Sequence, residues 1–148
     1  MSQCRERGLT IATAESLTAG LVAATLAQVP GCSAVLRGGV VAYATDVKGS
    51  VLGLPETLLE HVVSEEVAAA LAESAVQLLD ADLGIGTTGV AGPDLLDGQP
   101  PGTVWIAVHD RRTLRTTTRR LALPGDRQAV RDGTVDAVLG EALAIIDN

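Results

Sequence analysis

Residues 9–29 pass from a short apolar stretch into a longer one through the corner Ala14-Glu15-Ser16-Leu17-Thr18-Ala19-Gly20. The first stretch, 9–14, has the length and character of a buried strand. The second, 18–29, is rich in Ala, Leu and Val and stops at Pro30-Gly31, where a helix would end. The core that must surround such a strand is aliphatic: the chain has one Trp, one Tyr and no Phe, yet is 47% hydrophobic. Val, Leu, Ile and Ala in that proportion suit a parallel or mixed sheet covered by helices. A length of 148 residues predicts one domain over 1–148 with a substantial core.

The rest of the chain extends the same alternation. Residues 35–44 read as a second strand, with Gly38-Gly39 marking a bulge or a close approach. Residues 45–61 read as two short helical pieces, the second opened by Pro55. Ser64, followed by Glu65-Glu66 and regularly spaced apolar residues, opens the clearest helix. Residues 83–88 form a third strand and 89–102 a loop; 103–110 and 113–123 are two strands of an antiparallel hairpin across Arg111-Arg112. A helix over 126–146 closes the chain. This order predicts an α/β fold: a three-layer α/β/α sandwich around a mixed, mostly parallel sheet of about five strands.

Several classes of function are disfavoured. A net charge of −7 and one Trp and one Tyr leave neither a basic patch nor a stacking platform for nucleic acid. No apolar run is long enough for a bilayer span, and the N-terminus does not resemble a signal peptide, so a cytoplasmic location is expected. Cys4, Cys32, His61 and His109 have no close ligand spacing, and no metal is expected. Residues 84–89, GIGTTG, match the dinucleotide fingerprint in letters. That motif needs a helix starting at its last glycine, and Gly92-Pro93 and Pro100-Pro101 prevent one. No cofactor is expected, although such a loop can offer backbone N–H groups to an anion.

Three groups of residues bear on chemistry. At the corner, Ser16 or Thr18 could cap the helix for roughly 1 kcal/mol. Alternatively, Ser16 is a nucleophile at a helix N-terminus, whose orphan N–H groups would hold an oxyanion. Lys48 is the only lysine among 11 basic residues, and Tyr43, the only tyrosine, lies five positions before it. With Thr45 or Asp46 as cap, Lys48 falls in the first turn of a helix beginning at Val47, where the macrodipole disfavours its charge. It is either a surface lysine or a neutral amine able to activate a serine without histidine. Arg127 and Arg131 lie one helical turn apart: either a solvated face behind an Asp126 cap, or a fork for an anionic group.

Six stretches in order (TAESLTAGLVA, VPGCSAVLRGGVVAYATDVK, VSEEVA, GTTGVAGPD, PPGTVWIAV and PGDRQAVR) together resemble the C-terminal domain of the competence/damage-inducible protein CinA. The resemblance covers nearly the whole chain. Stand-alone members of that family are nicotinamide-mononucleotide amidases, which act as serine/lysine amidohydrolases in pyridine nucleotide recycling. The resemblance implies Ser16 as nucleophile, Lys48 as general base and Tyr43 as assisting hydroxyl. It implies Thr18, Thr88, Gly89, Arg127 and Arg131 as substrate-binding residues, with Arg131 suited to the phosphate. It also implies nicotinamide mononucleotide as partner molecule and leaves room for a homodimer. The chain departs from the family pattern in Leu17-Thr18-Ala19-Gly20, Tyr43-Ala44-Thr45 and the longer loop GPDLLDGQPPG, and little precedes the first strand where the family commonly has a helix. These departures are what a non-catalytic ligand-binding domain of the same fold would also display.

Overall fold

Large and small side chains alternate along the central strands, and this alternation sets how closely each layer of helices can approach. A computed structural model describes residues 1–147. In β1 (Ile11–Glu15) and β3 (Leu83–Gly89), Ile11, Leu83 and Ile85 join one core cluster. Ala12 and Ala14 face the opposite cluster. β4 (Thr103–Asp110) follows suit, with Val104, Ile106 and Val108 on the large face and Ala107 on the small one. The large face is covered by α2 (Leu21–Ala27) and α6 (Arg127–Asp147) through Val22, Leu26, Val130 and Val138. The small face receives α5 (Glu65–Leu79) through Val67, Leu71 and Ala75.

The small face explains the glycines of the GIGTTG stretch. A Cβ on Gly84 would lie 1.9 Å from the Ala72 carbonyl oxygen, and one on Gly86 would lie 2.3 Å from that of Ala68. These glycines let α5 lie against the strand; all of 84–89 belongs to β3 and opens no helix.

With β2 (Leu36–Val41) and β5 (Arg115–Ala122) the sheet has the order β2-β1-β3-β4-β5. β1 pairs in parallel with β2 and β3, whereas β3–β4 and β4–β5 are antiparallel. Four strands therefore run one way and β4 the other, as a mixed, mostly parallel sheet requires. Short helices α3 (Thr45–Ser50) and α4 (Glu56–Leu59) fill the segment before α5. Ser64 caps α5 as expected, its Oγ accepting from the Val67 amide at 3.3 Å. A short N-terminal helix, α1 (Ser2–Glu6), is absent from the expected order; it buries Cys4 in the core. The helix expected from residue 18 begins only at Leu21, because Ala19 (φ 50°) and Gly20 (φ 92°) are left-handed.

The chain leaves β1 for β2 through α2 on one face and reaches β3 through α5 on the other. Crossovers that diverge to opposite faces on either side of one strand open a crevice at its carboxyl end. Ser16 follows that end directly. Gly86→Ala should lower stability by about 3 kcal/mol or more, since α5 must be pushed off the sheet. Gly140→Ala, in α6 with nothing near its would-be Cβ, should raise stability by about 0.5 kcal/mol or more. Urea midpoints of the two variants against wild type check both.

Candidate active site

The corner after β1 is organised by Glu15, which is fully buried. Its Oε2 accepts from the amides of Gly20 and Val22, both at 3.0 Å, and its Oε1 from that of Ala23 at 2.9 Å. The Thr13 hydroxyl donates to Oε1 at 3.0 Å. Glu15 thus does the capping expected of Ser16 or Thr18, reaching forward to α2 from the strand. It also takes the helix amides expected to hold an oxyanion. The Thr18 hydroxyl is held by that of Thr87 at 2.8 Å, fully buried and away from the cavity lining. Ser16 is tied through its backbone, its amide donating to the Thr87 carbonyl at 3.0 Å. Among the described residues its hydroxyl makes no hydrogen bond.

A cavity of about 380 Å³ opens over this corner, lined by Ser16, Tyr43, Lys48, Thr88, Asp94 and Arg127 among others. Residues 32 positions apart in sequence, Ser16 and Lys48, thus share one chamber. Lys48 is 1% exposed. Its helix starts at Thr45, with Ala44 at the cap position and no side-chain cap, so Thr45 and Asp46 do not play the part expected of them. Lys48 is then the fourth residue of α3, and burial rather than the helix dipole is what lowers its pKa, against an opposing pull from Asp97. Its Nζ donates to the carbonyls of Ala42 at 2.9 Å and Tyr43 at 3.2 Å. No carboxylate lies within ion-pair distance of it among the described residues.

The remaining expected residues divide. Thr88 lines the cavity with its hydroxyl donating to the Val62 carbonyl at 2.6 Å, and Gly89 lies beside it. The Tyr43 phenol sits half-exposed at the mouth, where it meets the Arg127 guanidinium. Arg127 also donates to the Gly92 carbonyl at 2.6 Å and so spans the opening. Arg131 is not among the lining residues. It donates from Nε to the Leu17 carbonyl at 3.1 Å and from a terminal nitrogen to the Thr18 carbonyl at 3.0 Å. Backbone acceptors of the serine turn claim Arg131, so of the two arginines it is Arg127 that lines the cavity. Asp126 caps α6 as expected, accepting from the Ala129 amide at 2.9 Å. His61 and His109 lie outside the lining. Among the described residues no acidic, His or Cys cluster could hold a metal, and no helix is long and apolar enough to cross a membrane.

A five-stranded mixed sheet with a serine and a buried lysine at its carboxyl edge is an α/β domain of defined lineage. The chain belongs to the CinA C-terminal domain family, which it matches over residues 1–146. It is 46% identical over 136 residues to a CinA-like protein of Frankia casuarinae, covering 90% of this chain and 31% of that protein. A Geobacillus kaustophilus relative bearing the competence-damage inducible name is 51% identical over 133 residues, covering 88% of this chain and 32% of the relative. The chain therefore spans about a third of the length of the curated relatives it matches. The crystal structure of the competence damage-inducible protein A from Klebsiella pneumoniae superposes with a TM-score of 0.90 at 34% identity, covering 99% of this chain and 90% of that one. The competence/damage inducible protein CihA from Agrobacterium tumefaciens gives 0.92 at 32% identity, with the same two coverages of 99% and 90%.

Burying Lys48 has a consequence for stability. Its folded pKa lies below the unfolded one. Between the two values the unfolded chain holds the extra proton, so folding becomes more favourable as pH rises through that window. Lys48→Met should be at least as stable as wild type at pH 7, and its advantage should shrink as pH approaches about 10. Paired thermal melts across that range read the difference.

Proposed function

We propose that this domain is a serine/lysine amidohydrolase that converts nicotinamide mononucleotide to the acid and ammonia, a step of pyridine nucleotide recycling. The observation that carries the reading is the shared chamber: a serine hydroxyl and a buried amine, without hydrogen-bond and ion-pair partner respectively among the described residues, line one cavity. Burial favours the neutral amine, which an Arg in the same place could not provide. Lys48 takes the proton of Ser16 as its Oγ attacks the carboxamide carbon. The tetrahedral intermediate expels ammonia with a proton returned from Lys48. Water activated by the same amine then releases the acid and frees Ser16.

Glu15 occupies the amides of Gly20, Val22 and Ala23, so the oxyanion must be met by the turn itself. The Leu17 amide follows the proposed nucleophile directly, donates to no acceptor among the described residues, and belongs to a residue that lines the cavity. Arg131, by holding the carbonyls of Leu17 and Thr18, fixes the orientation of those peptide units. Arg127, at the mouth, is the guanidinium that a substrate phosphate would meet. Tyr43 is its neighbour there, and Thr88 and Gly89 line the same cavity.

Ammonia release from nicotinamide mononucleotide is the direct test, and its absence in wild type would leave a non-catalytic binding domain. Ser16→Ala should abolish release while the melting temperature stays near wild type, because Ser16 caps nothing. Lys48→Arg should be as inactive as Lys48→Ala; an active arginine variant would make Lys48 a mere positive charge. Arg127→Ala should raise KM for the nucleotide at least tenfold, about 1.4 kcal/mol, with little effect on the riboside. Arg131→Ala should instead lower kcat on both substrates alike.

A further inference from the structure

The cavity wall carries one charged side chain that the chemistry above leaves unused, Asp94. It belongs to the loop after β3, and that loop is fixed on both sides of it. Before it, Val90 donates its amide to the Thr103 carbonyl at 2.8 Å and accepts from the Gly102 amide at 2.8 Å. After it, Leu96 and Gln99 bridge each other, and Asp97 and Gly98 between them have φ of 52° and 71°, the signs that a two-residue hairpin turn requires. The Asp97 Oδ2 accepts from the Val63 amide at 3.0 Å and pins this hairpin to the segment before α5. Arg127 reaches the same loop: it donates to the Gly92 carbonyl at 2.6 Å, as well as to the Tyr43 hydroxyl. It makes no ion pair with Asp94, whose carboxylate has no partner among the described residues. Two opposite charges thus line one cavity and are left unpaired with each other.

We propose that Asp94 is a specificity-determining residue, the carboxylate that meets the positive ring of an N-substituted pyridinium in the cavity that Arg127 opens to a phosphate. The inference deepens the nucleotide reading above and rests on it for the ligand. The titratable side chains of the lining are Tyr43, Lys48, Asp94 and Arg127. Burial takes Lys48 toward the neutral amine, and the Tyr43 hydroxyl is engaged by Arg127. One carboxylate and one guanidinium are then the charges that a ligand meets. A carboxamide nucleotide whose pyridine nitrogen is bonded to the sugar is a zwitterion, positive at the ring and negative at the phosphate. A guanidinium alone would favour any small phosphate ester. A carboxylate in the same cavity repels the purely anionic ones and favours a ligand that brings its own cation. The rest of the lining includes Leu17, Val62, Val90, Ala91 and Leu96, apolar surface suited to the faces of a ring, and Asp94 is the only carboxylate among the lining residues.

The test compares two ligands of one shape. Nicotinamide mononucleotide carries the charged ring; its benzamide C-nucleotide isostere has carbon in place of the ring nitrogen and is neutral there. Calorimetry on Ser16→Ala protein gives a Kd for each without turnover. Asp94→Asn keeps the size of an exposed side chain and removes its charge. Added to Ser16→Ala, it should weaken nicotinamide mononucleotide about fivefold or more and leave the isostere within about twofold. Asp136→Asn, exposed on α6, removes the same net charge outside the cavity and should change neither Kd. Amide spectra of the variants report whether the fold is kept. Equal weakening of both ligands, or no weakening of the charged one, overturns the proposal. If that result comes with ammonia release by wild type, the amidase reading stands and only the role of Asp94 falls. If wild type binds nicotinamide mononucleotide without releasing ammonia and Asp94→Asn still separates the two ligands, the amidase reading fails and Asp94 keeps its role. A wild type that neither binds nor hydrolyses the nucleotide overturns both.

Discussion

A single carboxylate, that of Glu15, holds together the point where strand becomes helix. Three helix amides and one hydroxyl donate to it in a site closed to water. Burying a lone carboxyl group is costly, and four hydrogen bonds to its two oxygens are what offset that cost. The geometry is strict. Glu15 can reach α2 only because Ala19 and Gly20 turn left-handed, swinging the first helical turn back over the end of β1. Once the helix start is satisfied from the strand side, no hydroxyl in the turn is needed as a cap, and Ser16 is released for another role.

The same corner depends on the asymmetry of the sheet. Alanines and glycines on one face admit α5 to close range, while larger residues on the other hold α2 and α6. Because β1 sits where the crossovers diverge, its carboxyl end faces a crevice rather than packed side chains. Lys48 enters that crevice from α3 and is buried there without a countercharge in contact among the described residues. Such a lysine works against stability, and it makes sense in a place where an amine near neutrality is useful.

The strands and the long helices were legible because apolar runs and a capping serine are local signals, and Ser64 does what its sequence context implies. The mixed sheet followed from their order. The role of Glu15 was hidden because the sequence rule for a cap looks at the residue beside the helix, not five positions before its first amide partner. Placing Lys48 in a first turn failed for a related reason: α3 begins at Thr45 without a side-chain cap, so the expected cap was a misleading marker. Arg127 and Arg131 could be put on one helix face from spacing alone. Which of them meets the turn and which the open cavity depends on where α6 docks, and that is tertiary information. The turn Asp97-Gly98 has a hairpin signature in its two residues, yet its link to Val63 spans 34 positions and leaves no local trace.

The two arginines finally separate two tasks that one charged group could not perform together. A guanidinium bound to the carbonyls of Leu17 and Thr18 faces the protein and has its donors spent on backbone. It stiffens the turn that carries Ser16; for the nucleophile proposed there, orientation is where small displacements lower a rate most. A guanidinium bridging Tyr43 and the Gly92 carbonyl faces the opening, and its partners are ones an incoming anion can replace. On the proposed reading, the first fixes geometry before substrate arrives and the second exchanges partners when it does. Placing them one helical turn apart on α6 couples the docking of that helix both to the shape of the serine turn and to the width of the mouth.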